Sequence, residues 1–140
     1  NLAKVIIQTR YPNKKNLKQI KTGNYQLVAD QCLKTNKALG IPPYSNVSIL
    51  RATSPNPQSC IQFLEKVSEL LDNKKNISIT GPLPSIPLKI KGNSRNHIII
   101  KSDTKTYLNR VLKFLTNEIQ NWPETKKVKW AYDIDPYDMS

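Results

Sequence analysis

Lys89, Lys91 and Arg95 surround Gly92, and Asn93, Ser94 and Asn96 stand among them. Cations at alternate positions of an extended segment, with neutral donors between them, suit the phosphate backbone of a nucleic acid. That backbone is held by charge and by hydrogen bonds to phosphate and sugar oxygens. Lys101 and Lys105 follow at the far end of the next apolar run and in the helical turn after it, and Arg110 and Lys113 fall outside that helix's apolar stripe. The 140 residues carry a formal net charge of +12. Such an imbalance favours a polyanionic partner, nucleic acid before an anionic membrane surface. From charge alone, a plain solvated face explains the same lysines equally well. Stacking aromatics are scarce near these cations, which disfavours a single-strand platform built on base stacking.

Catalytic sets are missing from the sequence. It holds no glycine-rich phosphate loop with Lys and Ser/Thr, no HExxH and no nucleophile elbow. The one histidine, His97, opens an apolar run and reads as a structural or surface residue. Asp133 and Asp135 share a strand face and with Asp138 could offer oxygens to a hard cation, but they read better as acids offsetting Lys126, Lys127 and Lys129. Cys32 and Cys60 stand alone and read as reduced packing thiols. No catalytic residue, metal ligand or cofactor is therefore expected in this chain. No run approaches the roughly 18 apolar residues of a membrane span, and no n-region plus h-region of a signal peptide stands in these residues. The chain opens on Asn1 rather than Met, so an excised piece of a larger protein is expected.

The elements that must position the basic residues follow from periodicity. Residues 3–9 form a short apolar run that predicts a strand ended by Tyr11-Pro12-Asn13, and a polar stretch leads to Gly23. Asn24 caps a helix whose stripe is Tyr25, Val28, Ala29, Cys32 and Leu39, stopped by Gly40 and Pro42-Pro43. Val47–Thr53 predicts a strand. Asn56 and Pro57 open a helix with Cys60, Phe63, Leu64, Val67, Leu70 and Leu71 inward. Ile77–Thr80 predicts a strand running into a rigid Gly81-Pro82-Leu83-Pro84 bend. Leu88–Lys91 alternates, with Lys89 and Lys91 away from the apolar side, before a loop at Gly92-Asn93-Ser94. Arg95 leads into His97–Ile100, a candidate central strand. Ser102 or Asp103 caps a helix with Leu108, Val111, Leu112, Leu115, Ile119 and Trp122 inward. A final strand alternates Val128, Trp130, Tyr132 and Ile134 with polar residues. The order βαββαβ predicts an α+β, ferredoxin-like two-layer domain over 42–140.

These pieces resemble, in order, the C-terminal region of the PriA family of bacterial replication-restart helicases (primosomal protein N′). The residues that carry the resemblance are Val5–Thr9 with Pro12, Tyr25, Ala38-Leu39-Gly40-Ile41-Pro42-Pro43-Tyr44-Ser45 and Leu50-Arg51-Ala52. Gly81-Pro82-Leu83-Pro84, Arg95 before Ile98-Ile99-Ile100, and Val128-Lys129-Trp130 with Asp133-Ile134-Asp135-Pro136 complete it. The resemblance implies that 1–23 ends a second helicase lobe, 24–41 is a connector helix, and 42–140 is a C-terminal DNA-binding domain. It implies an ATP-dependent 3′→5′ DNA helicase as parent, whose ATP, Mg and Zn sites lie upstream. Expected partners are branched or single-stranded DNA, single-strand-binding protein and other primosome proteins, met by a monomer in the cytoplasm. The DNA contacts fall on Lys89, Lys91, Asn93, Arg95 and Lys101. Lys105 and Asn109 match a basic and an amide residue that help hold the tail of single-strand-binding protein. Asn93 and Ser94 depart from the pattern, standing where the family has an arginine and an aromatic. Lys14 stands where the family often has His, and Cys32 and Asn36 where it often has Glu and Arg. Two other readings share the plan: a ribosomal-protein-like RNA-binding or assembly module, and an acyl-phosphate hydrolase built on Arg95 and Asn96.

Overall fold

A computed structural model describes residues 4–137, Thr22 excepted. The chain divides into two compact units, one up to Leu39 and one from Gly40 onward.

The first unit holds two helices, α1 (Lys15–Lys21) and α2 (Tyr25–Leu39). The Asn24 side chain caps α2, accepting from the Leu27 amide at 3.2 Å. Gly40 then takes a φ of +56°, where the helix stops. Two expectations fail here. Residues 4–9 are irregular rather than a strand, with Val5, Ile6 and Ile7 exposed; Ala3 lies outside the described residues. A strand needs a neighbour for its amides and carbonyls, and no strand precedes Gly40 among the described residues. The polar stretch before Gly23 holds a helix, and α2 buries none of its side chains, so its apolar stripe stays largely exposed.

The second unit is the α+β domain. Its elements are β1 (Asn46–Ser54), α3 (Pro57–Leu71), β2 (Ile77–Ile90), β3 (Asn93–Ser102), α4 (Lys105–Ile119), a 3-10 turn (Pro123–Lys126) and β4 (Lys129–Ile134). The four strands form one sheet in the order β2-β3-β1-β4, every pair antiparallel. This is the ferredoxin-like order, with the helices supplying the second layer. Asn56 caps α3 by accepting from the Gln58 amide at 3.0 Å, and Pro57 sits where a missing N–H costs nothing. The cap of α4 is Thr104, not Ser102 or Asp103; its hydroxyl accepts from the Tyr107 amide.

The helices pack on one sheet face. Cys60, Phe63, Leu64, Val67 and Leu71 of α3 meet Leu108, Val111, Leu112, Leu115 and Ile119 of α4 over Leu50, Ala52, Ile98 and Ile100. Complete burial of a Leu, Ile or Phe side chain contributes about 1.5–3 kcal/mol each, so this cluster dominates the domain's stability. Phe63 and Trp122 meet edge to face with centroids 5.9 Å apart.

β2 departs most from expectation. The Gly81-Pro82-Leu83-Pro84 stretch does not leave the sheet, because Leu83 pairs with His97 and Pro84 with Asn96. β2 is an edge strand, so proline's missing N–H can face outward. Gly81 and Pro82 together oppose Ile98, a bulge between the Thr80–Ile99 and Leu83–His97 pairs. Gly81 adopts a φ of +125°, and a Cβ there would lie 2.9 Å from the His97 carbonyl oxygen. Only glycine suits both demands. Ser85 to Leu88 form a second, wider irregularity opposite Arg95, between the Pro84–Asn96 and Lys89–Ser94 pairs.

Candidate nucleic-acid interface

The hairpin joining β2 to β3 turns in two residues, Lys91 and Gly92, with φ of +49° and +80°. Positive φ at both positions belongs to the mirror-image turn that matches strand twist. Asn93, Ser94 and Arg95 therefore lie on β3 and not in a loop. Pairing fixes their faces, since directly opposed residues in an antiparallel ladder share a face. Lys89 pairs with Ser94, which pairs with Ser54 on the helix-covered face. Arg95 pairs with Thr53, which pairs with Lys129, and these three share the other face. The sheet thus separates Lys89 from Arg95. Leu88 and Ile90, expected to be apolar anchors, remain 56% and 44% exposed.

Arg95 also has a local task. Its Nη1 donates to the Pro87 carbonyl oxygen at 3.4 Å, across the wide irregularity in β2. Ser85 Oγ lies 2.9 Å from His97 Nδ1 in the same region. His97 is buried, and burial, then the charges of Arg51 and Arg95, hold its imidazole below the ordinary value. Its Nε2 is buried without a hydrogen-bond partner. An orphaned acceptor is cheaper than an orphaned donor, which favours the tautomer with the proton on Nδ1, donated to Ser85.

Lys101 sits at the other end of β3, paired with Val47 and Ser78. At about 3.3 Å per residue it is ~20 Å along the strand from Arg95. Lys105 and Asn109 occupy one side of α4 at i and i+4. Lys105 Nζ is engaged by Asp135 at 2.6 Å. Asp133 pairs with Arg51 at 3.3 Å. Among the described residues no group of three or more His, Cys, Asp and Glu comes together as a metal ligand set would.

A cleft of about 580 Å³ opens at the end of the sheet where β1 and β4 meet. Lys126, Lys127 and Lys129 are among its lining residues, with Ser54, Asn56 and Ser59 from the end of β1 and the start of α3 and Asn93 from β3. Among the described residues no carboxylate lines it. None of the three lysines takes part in the ion pairs of the described residues. Glu124 lines a smaller adjoining hollow and is held by Lys66 at 2.8 Å. The Lys66 hydrogen bond keeps its carboxyl below the usual range, so this acid is ionised and already partnered. Sequence reading assigned the three lysines no role beyond balancing nearby acids. Their place in the cleft depends on the Thr53–Lys129 pairing, which brings the lysine-rich segment beside the end of β1.

The family model for the primosomal protein N C-terminal domain matches residues 37–137. The chain belongs to this PriA C-terminal family. It is 31% identical to the replication restart protein PriA of Buchnera aphidicola (subspecies Schizaphis graminum), over 97% of this chain and 20% of that protein. To the PriA of Haemophilus influenzae it is 22% identical over 97% of this chain and 19% of that protein. To that of Bacillus subtilis it is 26% identical over 96% and 17%. The chain spans about a fifth of the length of these PriA relatives. No helix among the described residues is long and apolar enough to cross a membrane.

Proposed function

We propose that this chain is the non-catalytic, DNA-binding C-terminal part of a replication-restart protein, engaging branched or single-stranded DNA. The observation that carries the reading is the lysine-lined cleft beside the β2–β3 hairpin, with no carboxylate among its described lining residues, in a member of the PriA C-terminal family. Lys126, Lys127 and Lys129 supply the main contacts, with Asn93 and Lys91 at the margin of the surface and Lys89 and Arg95 on opposite faces of the strands that frame it. Lys101 lies too far along β3 to join them and contacts DNA only if the strand continues across the sheet.

On this reading the parent is an ATP-dependent 3′→5′ DNA helicase of the cytoplasm, and its ATP, magnesium and zinc are held by parts upstream. The tail of single-strand-binding protein would meet Lys105 and Asn109, where an incoming carboxylate must displace Asp135 from Lys105. The chain acts as a monomer beside other primosome proteins.

The test is a titration of the 140-residue chain with fork DNA across a salt series. Expected is binding whose log–log salt slope is roughly −0.7 to −0.9 per phosphate neutralised, and which structured RNA competes for poorly. Absence of fork binding at low salt refutes the reading. Preference for structured RNA would favour the ribosomal-protein-like alternative.

A further inference from the structure

We propose that the cleft between β4 and the start of α3 is a seat for a phosphate monoester, and does more than add charge to a binding face. A flat basic surface suits a phosphodiester backbone, whose phosphates each carry one negative charge and pass by in a row. Here three lysines are among the residues that line one concave site of about 580 Å³, room for a group the size of a nucleotide. Three cations oversupply a diester's single charge, whereas a monoester carries close to two at neutral pH.

The remaining chemistry fits the same ligand. Ser59, Asn56 and Asn93 add neutral polar side chains to the same lining. Lysine ammoniums are compact point charges on flexible stems, able to approach a rotating tetrahedral group from several directions. Glu124, in the adjoining hollow, is occupied by Lys66 and does not compete for the three lysines. Pro55 adds apolar surface at the cleft, against which a sugar or base can rest. The shared chemistry is a phosphate monoester; its source is either the phosphorylated end of a nucleic-acid strand or a free phosphate compound. The inference uses lysines that the DNA reading also uses, but stands on the cleft's shape and composition.

The test uses the whole chain and two probes. In amide NMR, inorganic phosphate is titrated at constant ionic strength against sodium chloride. In anisotropy, labelled single-stranded oligonucleotides of one sequence carry a 5′-phosphate, a 3′-phosphate or hydroxyl ends. Expected are saturable phosphate shifts centred on Ser59 and Asn93, and binding of a phosphorylated end tighter by about 5-fold, as one further charge contact gives. Both effects should vanish in Lys127→Ser/Lys129→Ser, whose circular dichroism stays unchanged because both side chains are exposed. Lys126→Ser/Lys127→Ser serves as the second variant if the first misfolds.

Non-saturating phosphate shifts together with equal affinities for all ends overturn the seat, while salt-dependent oligonucleotide binding would still uphold the DNA reading. Saturable phosphate binding without end preference upholds the seat and assigns it to a free phosphate compound. Saturable phosphate binding with no oligonucleotide binding does the same and refutes the DNA reading.

Discussion

Ser85 Oγ and His97 Nδ1 lie 2.9 Å apart and tie the irregular middle of β2 to the buried part of β3. Four residues of β2 oppose one residue of β3 there, so the ladder supplies few bonds and side chains replace them. Arg95 does the same from the other flank by donating to the Pro87 carbonyl. These two contacts, with the Lys89–Ser94 and Ile90–Asn93 pairs, position the hairpin that carries Lys89, Lys91 and Asn93.

His97 gives the domain a pH dependence of definite sign. Its folded pKa is lowered, by burial first and then by Arg51 and Arg95. The unfolded chain therefore takes up the proton more readily. Stability is complete above the unfolded value of about 6.5 and is lost as pH falls from there towards the folded pKa. Urea unfolding from pH 7.5 to 5 should show this decline, and His97→Gln should flatten it. An unchanged slope in the variant would assign the decline to other groups.

Ser85→Ala removes the partner of a buried ring nitrogen. The expected loss is about 1–3 kcal/mol of unfolding free energy, the cost of leaving a buried polar group unsatisfied. Amide exchange should speed up in β2 from Ser85 onward more than in α3 or α4. Uniform acceleration across the domain would argue against a local role.

Gly81→Ala places a Cβ 2.9 Å from the His97 carbonyl oxygen at a φ of +125°. A loss of about 1–3 kcal/mol is expected from the backbone conformation alone, with the contact added to it. Equilibrium denaturation measures it, and a variant as stable as the parent chain would mean that the bulge repacks.

Lys91 occupies a left-handed position at φ +49° that glycine or asparagine adopts more cheaply. Lys91→Gly should stabilise the domain by about 1 kcal/mol. If Lys91 contacts DNA, the same variant loses fork affinity while gaining stability. Thermal melting and anisotropy on one preparation separate the two effects.

Charge reversal at the cleft, Lys126→Glu with Lys127→Glu and Lys129→Glu, should abolish fork binding at moderate salt. Replacing the same lysines by Ser should reduce the magnitude of the log–log salt slope by roughly 2 to 3, one contact per lysine. Lys101→Glu, at the distant end of β3, should leave the slope nearly unchanged. A larger effect at Lys101 than at the cleft would move the interface to that end.

The helices α3 and α4 were legible because their signals are local, whereas α1, in a polar stretch with no stripe, was not. The stripe from Cys60 to Leu71, the Asn56–Pro57 start and the stripe from Leu108 to Ile119 need only a 3.6-residue period and a cap. The βαββαβ order followed, and with it the α+β plan. The faces of the basic residues were not legible. Assigning Lys89 and Arg95 to one surface assumed a loop at Asn93 and Ser94, and the two-residue turn at Lys91-Gly92 shifts both onto β3. The prolines of β2 suggested a departure from the sheet, but an outward-facing edge tolerates them. The cleft was hidden for a topological reason: its walls are far apart in sequence and meet through the β1–β4 ladder.

β1 is an interior strand whose second neighbour arrives late. The Ser48 hydroxyl donates to the Asp133 carbonyl oxygen across 85 positions of chain. Until β4 docks, a growing chain presents one edge of β1, with Ile49 and Leu50 among its residues, as an unpaired template. A ribosome that stalls or a protease that clips before Lys129 would release a sheet with that edge open. Chaperone engagement and aggregation of such shortened products, rather than a simple loss of affinity, are the consequences of placing the closing strand last.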